Sequence, residues 1–211
     1  YEPFHVARLF QTMDLMTKGR AAWNVVTSLN DAEAQNMGRR EHLGHDVRYD
    51  RADEFLEIVT GHWDSWEEDA FVLDKAANRF ADPRKVRRID YSGKFLSSRG
   101  PFTVPRSPQG HPVLIQAGQS GRGRRFAAQW GEAIFVHLPT IAQGKTSYAE
   151  LKADCAKLGR DPDGLKICTL IHPICAETKA EAEDMRAAIE KLPREADSLL
   201  LLSEALNVDF G

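Results

Sequence analysis

Apolar residues recur along this chain in two alternating patterns. Between residues 3 and 18, Val6, Leu9, Phe10, Met13 and Met16 share one face at helical spacing, which predicts an amphipathic helix stopped at Gly19. "RAAWNVVTS" (20–28) then reads as a short buried strand around the β-branched Val25 and Val26. Residues 29–45 are polar and mixed, and predict a loop with one short helical turn. From Asp46 onward, Ala52, Phe55, Leu56, Val59 and Trp63 return to the helical period, with Asp46 or Asp50 near the start as a cap. Segment 66–111 has Gly and Pro punctuation around short apolar pieces, which predicts a hairpin or long excursion. "PVLIQAG" (112–118) predicts a strand that hands over to a helix ending near Gly131, and "EAIFVHLP" (132–139) a second buried strand. A helix over 145–158, a strand over 165–176, a charged helix capped by Thr178 and ending about Leu192, and a last helix over 196–208 complete the pattern. Four alternations of strand and helix argue for parallel βα units and an α/β class.

Composition narrows the picture without naming a function. The chain has 211 residues, enough for one substantial domain, and is 42% hydrophobic and 28% charged, as ordinary globular proteins are. A net charge of -3 with acids and bases interleaved gives no field for nucleic acid or an anionic membrane surface. No apolar run approaches the ~18 residues of a membrane span, and no signal peptide is visible. The cysteines, Cys155, Cys168 and Cys175, are odd in number and form no C-x-x-C, which argues against a disulfide framework or zinc ribbon and fits a reducing cytoplasm. No fixed-period repeat is present.

Three stretches carry candidate chemistry. In "QAGQSGRGRRFAAQW" (116–130), Gly118, Ser120, Gly121 and Gly123 stand where a strand passes into a helix. Unpaired N–H groups and the helix dipole favour an anion there, and glycines let a phosphate approach; Ser120 adds a hydroxyl and Arg122, Arg124 or Arg125 a charge. A tight corner with Ser120 as a plain cap explains the same residues, and both readings stay open on this evidence. The stretch is neither a P-loop nor an in-register G-x-G-x-x-G. In "EHLGHDVRYDRADEF", His45 and Tyr49 are four apart, so one turn of helix puts both on one face where they can touch one ligand or each other. The acids Asp46, Asp50, Asp53 and Glu54 read most simply as the negative first turn favoured by the dipole. Asn24, Thr27 and Ser28 stand at the C-terminal end of a predicted strand, the edge where barrel enzymes keep their sites. His5, His62 and His111 are expected on helix or loop surfaces, and His137 and His172 inside apolar strands. No His/Asp/Glu spacing predicts a metal site, and there is no G-x-S-x-G nucleophile elbow.

Taken in order, "RAAWNVVTS", "HDVRYDRADEFLEIVTGHWDSW", "RGPFTVPRSPQGHPVLIQAGQSGRGRRFAA" and "EAIFV" resemble the nitrilotriacetate and dibenzothiophene-sulfone monooxygenase family of the bacterial luciferase-like superfamily. The resemblance is continuous from Tyr1 to about Glu177. It implies a (β/α)8 TIM barrel of which this chain holds about strands four to seven, a single partial barrel domain over 1–211 with an insertion at about 66–111. It further implies reduced FMN delivered by a separate NAD(P)H:flavin reductase, O2 activated as a flavin hydroperoxide, and one oxygen atom inserted into a small organic substrate. Ser120 matches the family's phosphate-holding serine and His45 and Tyr49 its flavin-contacting pair, so the cofactor set is His45, Tyr49, Ser120, Gly118, Gly121 and, near the flavin ring, Asn24. No catalytic acid or base is assigned. The 66–111 excursion is the candidate cover over the flavin, and homo-oligomerisation is a family expectation. Because a barrel needs ~250 residues and an open half leaves two sheet edges bare, the chain is expected to be a fragment or to be completed by a partner. Two other readings stay open: a deazaflavin- or flavin-dependent reductase of the same superfamily, and a truncated non-catalytic homologue serving as an assembly partner.

Overall fold

A computed structural model describes residues 1–28, 30–206, 208 and 210; Leu29 of the predicted loop and Asn207 of the predicted last helix lie outside the described residues. The chain divides into two compact units, Tyr1–Thr27 with His45–Thr169, and Ser28–Gly44 with Leu170–Gly211.

The first unit opens with α1 (Pro3–Met16), which Pro3 starts where its missing N–H leaves no bond unmade. Lys18 and Gly19 then turn the chain through positive φ, and Gly19 N–H closes on Asp14 O at 2.8 Å. The strand β1 (Ala22–Asn24) follows, then α3 (His45–Trp63), which comes after α2 (Asp31–Asn36) in the chain. Two hairpins, β2 (Phe71–Asp74) with β3 (Arg79–Ala81) and β4 (Tyr91–Ser92) with β5 (Ser97–Ser98), form the excursion that the Gly and Pro punctuation predicts. The chain returns through β6 (Val113–Gln116), α4 (Gly121–Trp130), β7 (Ala133–Val136), α5 (Ile141–Lys157) and β8 (Lys166–Thr169). The four strands form one parallel sheet in the order β1-β6-β7-β8. All four predicted strands are therefore present, each shorter than its apolar run.

Strand alternation sorts the sheet into two faces. Trp23, Leu114, Gln116, Ile134, Val136 and Ile167 share one face in register, and the helices pack there. One core joins Trp23 and Leu114 to Ala7, Leu56, Val59, Trp63 and Phe126; the other joins Ile134 and Val136 to Ala127, Leu151, Cys155 and Leu165. The opposite face presents Asn24, Phe135 and Cys168 exposed.

The predicted face of α1 is corrected. Its fully buried residues are Pro3, Ala7, Gln11 and Asp14, while Leu9, Met13 and Met16 are exposed. Trp63 Nε1–H donates to Ala7 O at 3.1 Å, an approach that only a small residue on α1 allows. Gln11 Nε2 donates to Pro105 O, and the Asp14 carboxylate accepts from Ala21 N–H and Gln109 Nε2, so the polar face ties α1 to the returning excursion. On α3 the predicted face holds: Leu56, Val59 and Trp63 are buried and Ala52 and Phe55 partly so.

Three histidines depart from expectation. His62 is fully buried on α3, edge-on to Phe4 at 5.2 Å with Nε2 2.9 Å from Ser98 Oγ, and burial pushes its pKa down. His137 and His172 are exposed, because β7 ends at Val136 and β8 at Thr169 before either is reached. His111, half-buried, stacks on Trp63 at 5.6 Å. In β8 the apolar run reads on, but Thr169 pairs with Val136, the last residue of β7, and the chain leaves the sheet there.

The excursion is clamped, not free. It leaves the C-terminus of α3 and re-enters at the N-terminus of β6, and Trp66 Nε1 and Ser65 Oγ bond the backbone of Phe102. The turn between β4 and β5 lies on α3, where the Glu54 carboxylate accepts from the N–H groups of Lys94, Phe95 and Leu96 at 2.7–2.9 Å. Burial alone would raise the Glu54 pKa; the three N–H groups and the Lys94 charge outweigh it and hold it below the usual carboxylate range. A carboxylate with a depressed native pKa contributes stability at neutral pH that disappears as pH falls through that pKa. Glu54→Ala is accordingly expected to speed amide exchange at residues 94–96 by about tenfold at pH 7, the loss of roughly 1.4 kcal/mol of charge-assisted bonding. In the native chain the same amides should lose protection on acidification, and protection that is flat with pH would count against the clamp.

In the second unit, Asn30 caps α2 by accepting from Glu33 N–H at 3.1 Å. α6 (Lys179–Glu190) has the cap foreseen at Thr178, which Glu181 extends to a capping box, and α7 (Glu195–Leu206) follows. No described helix is long and apolar enough to cross a membrane.

Candidate flavin-phosphate cradle

The turn after β6 is built by its own residues. Gln116 is buried, and its Oε1 accepts from Gly118 N–H, folding the chain back at the strand end. Ser120 is the N-cap of α4: its Oγ accepts from Gly123 N–H at 3.0 Å, and its carbonyl accepts from Arg124 N–H at 2.8 Å. The N–H groups of Gly121 and Arg122 come before Arg124, the first to donate to a helix carbonyl, and nothing stands within 4 Å of where a Gly121 side chain would begin. The plain-cap reading is therefore correct as far as it goes, and it leaves donors to spare.

α3 brings the second half of the site. It begins at His45, so His45 and Tyr49 stand one turn apart with rings 5.2 Å apart, edge to face. His45 Nε2 lies 3.3 Å from Ser120 Oγ, and Nδ1 2.7 Å from Asp46 Oδ1. Tyr49 is buried, packed edge-on against Phe126 at 5.4 Å. Its hydroxyl rests against two glycines: a Cβ on Gly118 would meet it at 2.5 Å and one on Gly123 at 2.8 Å. The same Cβ atoms would come within 3.0 Å of the facing glycine's backbone. Gly118 and Gly123 are glycines because the strand-to-helix turn and the Tyr49 hydroxyl share one small space.

A partly buried ion-pair network fixes these two helices together. Arg122 donates to Asp50 at 3.1 Å and to Asp53, its guanidinium 5.5 Å above the Tyr49 ring. Trp130 Nε1 donates to Asp53 as well, at 2.8 Å, so one carboxylate holds both ends of α4 against α3. Arg124 is bound to Glu150 and Asp154. These pairs correct two expectations. Arg122 and Arg124 are committed to carboxylates and are not spare charge for a phosphate, and of the four acids only Asp46 belongs to the first turn of α3.

Of the expected cofactor residues, the structure joins His45, Tyr49, Ser120 and Gly118, with Gly121 at the open helix start. Asn24 stands exposed at the C-terminal end of β1 on the sheet face away from the helices, outside the contacts that join the others. Gly123, named with the turn from the sequence, packs against the Tyr49 hydroxyl, whereas the Asp53–Arg122 pairing and the role of Gln116 were not anticipated. A cavity of about 410 Å³ adjoins the turn, lined by Gln119, Arg124, Gln143, Thr146 and Glu150. Among the described residues, no three His, Cys, Asp or Glu side chains are grouped to hold a metal ion. The excursion bonds α1 through Gln11 and Asp14, α3 through Glu54 and His62, and the chain beside them through Asp64 and Ala21.

A parallel βα sheet with an anion-ready turn at its C-terminal edge is the arrangement of a TIM-barrel enzyme. The chain belongs to the luciferase-like monooxygenase family, whose model matches residues 1–204, and its fold is part of that family's barrel. It is 51% identical over 211 residues to the dibenzothiophene-sulfone monooxygenase of Rhodococcus erythropolis, covering 100% of this chain and 47% of the relative. It is 43% identical over 205 residues to nitrilotriacetate monooxygenase component A of Aminobacter aminovorans, covering 97% of this chain and 45% of the relative. Among solved structures, a riboflavin lyase with modified FMN and riboflavin superposes with a TM-score of 0.91 at 34% identity, over 99% of this chain and 47% of that one. The chain thus spans about half the length of the curated relatives it matches.

Proposed function

We propose that this chain carries the FMN-phosphate cradle of a two-component monooxygenase, which uses reduced FMN from a separate reductase and O2 to oxidise a small organic substrate. The observation that carries the reading is the convergence of Ser120 Oγ, His45 Nε2, the Tyr49 hydroxyl and the free N–H groups of Gly121 and Arg122 on one glycine-walled turn. The donor set suits a phosphate dianion, and the helix start is open at Gly121, where nothing stands within 4 Å of a side chain's first atom. The 51% identity to a sulfone monooxygenase along the whole chain supports the oxygenase reading, and the nitrilotriacetate relative's being a component A supports a partner reductase.

In this reading α4 aims its positive end at the phosphate, worth up to about 2 kcal/mol in a partly buried site. Ser120 and Tyr49 donate hydroxyl protons to phosphate oxygens, and His45 donates from Nε2. The Arg122–Asp53 pair keeps Tyr49 in place. Bound reduced FMN would supply the electrons for oxygen activation. The experiment is to supply the chain with FMN, NADH and a flavin reductase in air, and to follow conversion of dibenzothiophene sulfone and nitrilotriacetate. Oxidised product above the reductase-only background supports the reading. Flavin binding without product would restrict this chain to cofactor capture.

A further inference from the structure

Gln11 and Asp14 stand three apart on α1, so they share one face, and both are fully buried. The chain returning to β6 runs along that face. Gln11 Nε2 donates to Pro105 O at 2.9 Å, and Gln109 Nε2 donates to Asp14 Oδ1 at 2.6 Å. Ser107, also buried, lies between these two contacts, and Gly110 N–H closes a turn on its carbonyl at 2.9 Å. Each of the three side chains has a buried oxygen with no hydrogen-bond partner in the protein: Gln11 Oε1, Asp14 Oδ2 and Ser107 Oγ. The Asp14 carboxylate also lacks a counter-charge. Its donors, Ala21 N–H and Gln109 Nε2, are neutral, and among the described residues no Lys, Arg or His side chain pairs with it. Arg20 and Arg106, close by in the two segments, donate instead to Thr17 O and Asp64.

We propose that these three oxygens bind one alkali cation, which ties α1 to the end of the excursion. A charge taken this far from water is normally paired or bound to a metal ion. Carboxylate, amide and hydroxyl oxygens are hard ligands, suited to Na+ or K+ and to Mg2+ or Ca2+, and not to metals that favour nitrogen or sulfur. Charge decides between the two groups. Asp14 is the one acidic side chain in the set, so a monovalent ion leaves the buried site neutral, whereas a divalent ion leaves it with a net positive charge. The carboxylate keeps its Oδ1 bonds to Ala21 and Gln109, and Gln11 keeps its bond to Pro105. None of these residues belongs to the flavin-phosphate cradle, so the site stands whether or not flavin binds.

The test is amide hydrogen exchange of the 211-residue chain in NaCl, KCl or choline chloride at one pH and one ionic strength, so that only the alkali ion is removed. With a Kd of about 10 mM, cation at about 0.1 M slows local opening about tenfold by mass action. The amides to follow are Gly19, Ala21, Gly110 and Val113, whose bonds to Asp14, Ser107 and Ala21 close this segment. They should exchange about tenfold faster in choline, while the amides of β7 do not respond. Asp14→Asn keeps an oxygen for Ala21 and Gln109 but removes the charge, and should exchange alike in all three salts. Ser107→Ala, a milder change, should need several-fold more cation for the same protection. Native exchange that is equal in choline and in both alkali salts overturns the proposal. So does an Asp14→Asn chain with the native salt dependence, a Ser107→Ala chain with an unmoved midpoint, or a response to Mg2+ or Ca2+ and to neither alkali ion.

Discussion

Gly118→Ala is expected to weaken FMN binding about a hundredfold while leaving the parallel sheet intact. The new Cβ would lie 2.5 Å from the Tyr49 hydroxyl and 3.0 Å from Gly123 Cα, so something must move. Tyr49 cannot retreat easily: its ring is buried against Phe126 and lies beneath the Arg122 guanidinium. The turn or the hydroxyl therefore shifts, and at least two charge-assisted hydrogen bonds to the phosphate weaken, at roughly 1.5 kcal/mol each. Tyr49→Phe removes one donor without the clash and should cost only about tenfold by the same reasoning. Fluorescence titration with FMN on both variants checks the order. If Tyr49→Phe is as damaging as Gly118→Ala, the crowding argument fails.

The largest expected loss of stability is from Phe126→Ala. Phe126 is fully buried on α4, in the core formed with Leu56, Val59, Trp63 and Leu114, and its edge supports Tyr49. Truncation removes the transfer energy of the ring and leaves a cavity, together about 3–5 kcal/mol. Against a typical total of ~5–15 kcal/mol this is a large fraction, visible as a lower denaturant midpoint at unchanged slope. Loss of the support should also weaken FMN binding by less than Gly118→Ala does. A midpoint within experimental error of the native chain would show that the helix–sheet core is not where the stability lies.

Much of this was legible in the residues. Four apolar runs fixed four parallel strands, and the spacing of His45 and Tyr49 placed them on one helical face, because both signals rest on local period alone. The face of α1 misled because it obeys tertiary contact: Ala7 is buried for its smallness and Asp14 for its bonds, and hydropathy registers neither. His62 was recoverable, since it stands three residues beyond Val59 on the core face of α3. The ion pairs of Arg122 and Arg124 join residues 69 or more and 26 or more positions apart, so composition could show the charges but not their partners. Shortening of β1 and β8 was equally invisible, because a strand ends where its neighbour's ladder ends and not where its apolar run does.

On the proposed reading, the cradle draws its candidate cofactor residues from two elements that are distant in sequence. α3 contributes the rings and α4 the N–H groups, and Asp53 holds the two at fixed distance through Arg122 and Trp130. The geometry that joins Ser120, His45 and Tyr49 is thus set in the helix layer on one side of the sheet.

The most direct measurement is an anaerobic titration with reduced FMN and, in parallel, reduced riboflavin, on the native chain and on Ser120→Ala. The account predicts saturable FMN binding, weaker riboflavin binding, and a Ser120→Ala variant that loses about tenfold or more for FMN and little for riboflavin, since only the phosphate touches Ser120. Equal affinity for the two flavins, or an equal loss on both in the variant, would contradict it.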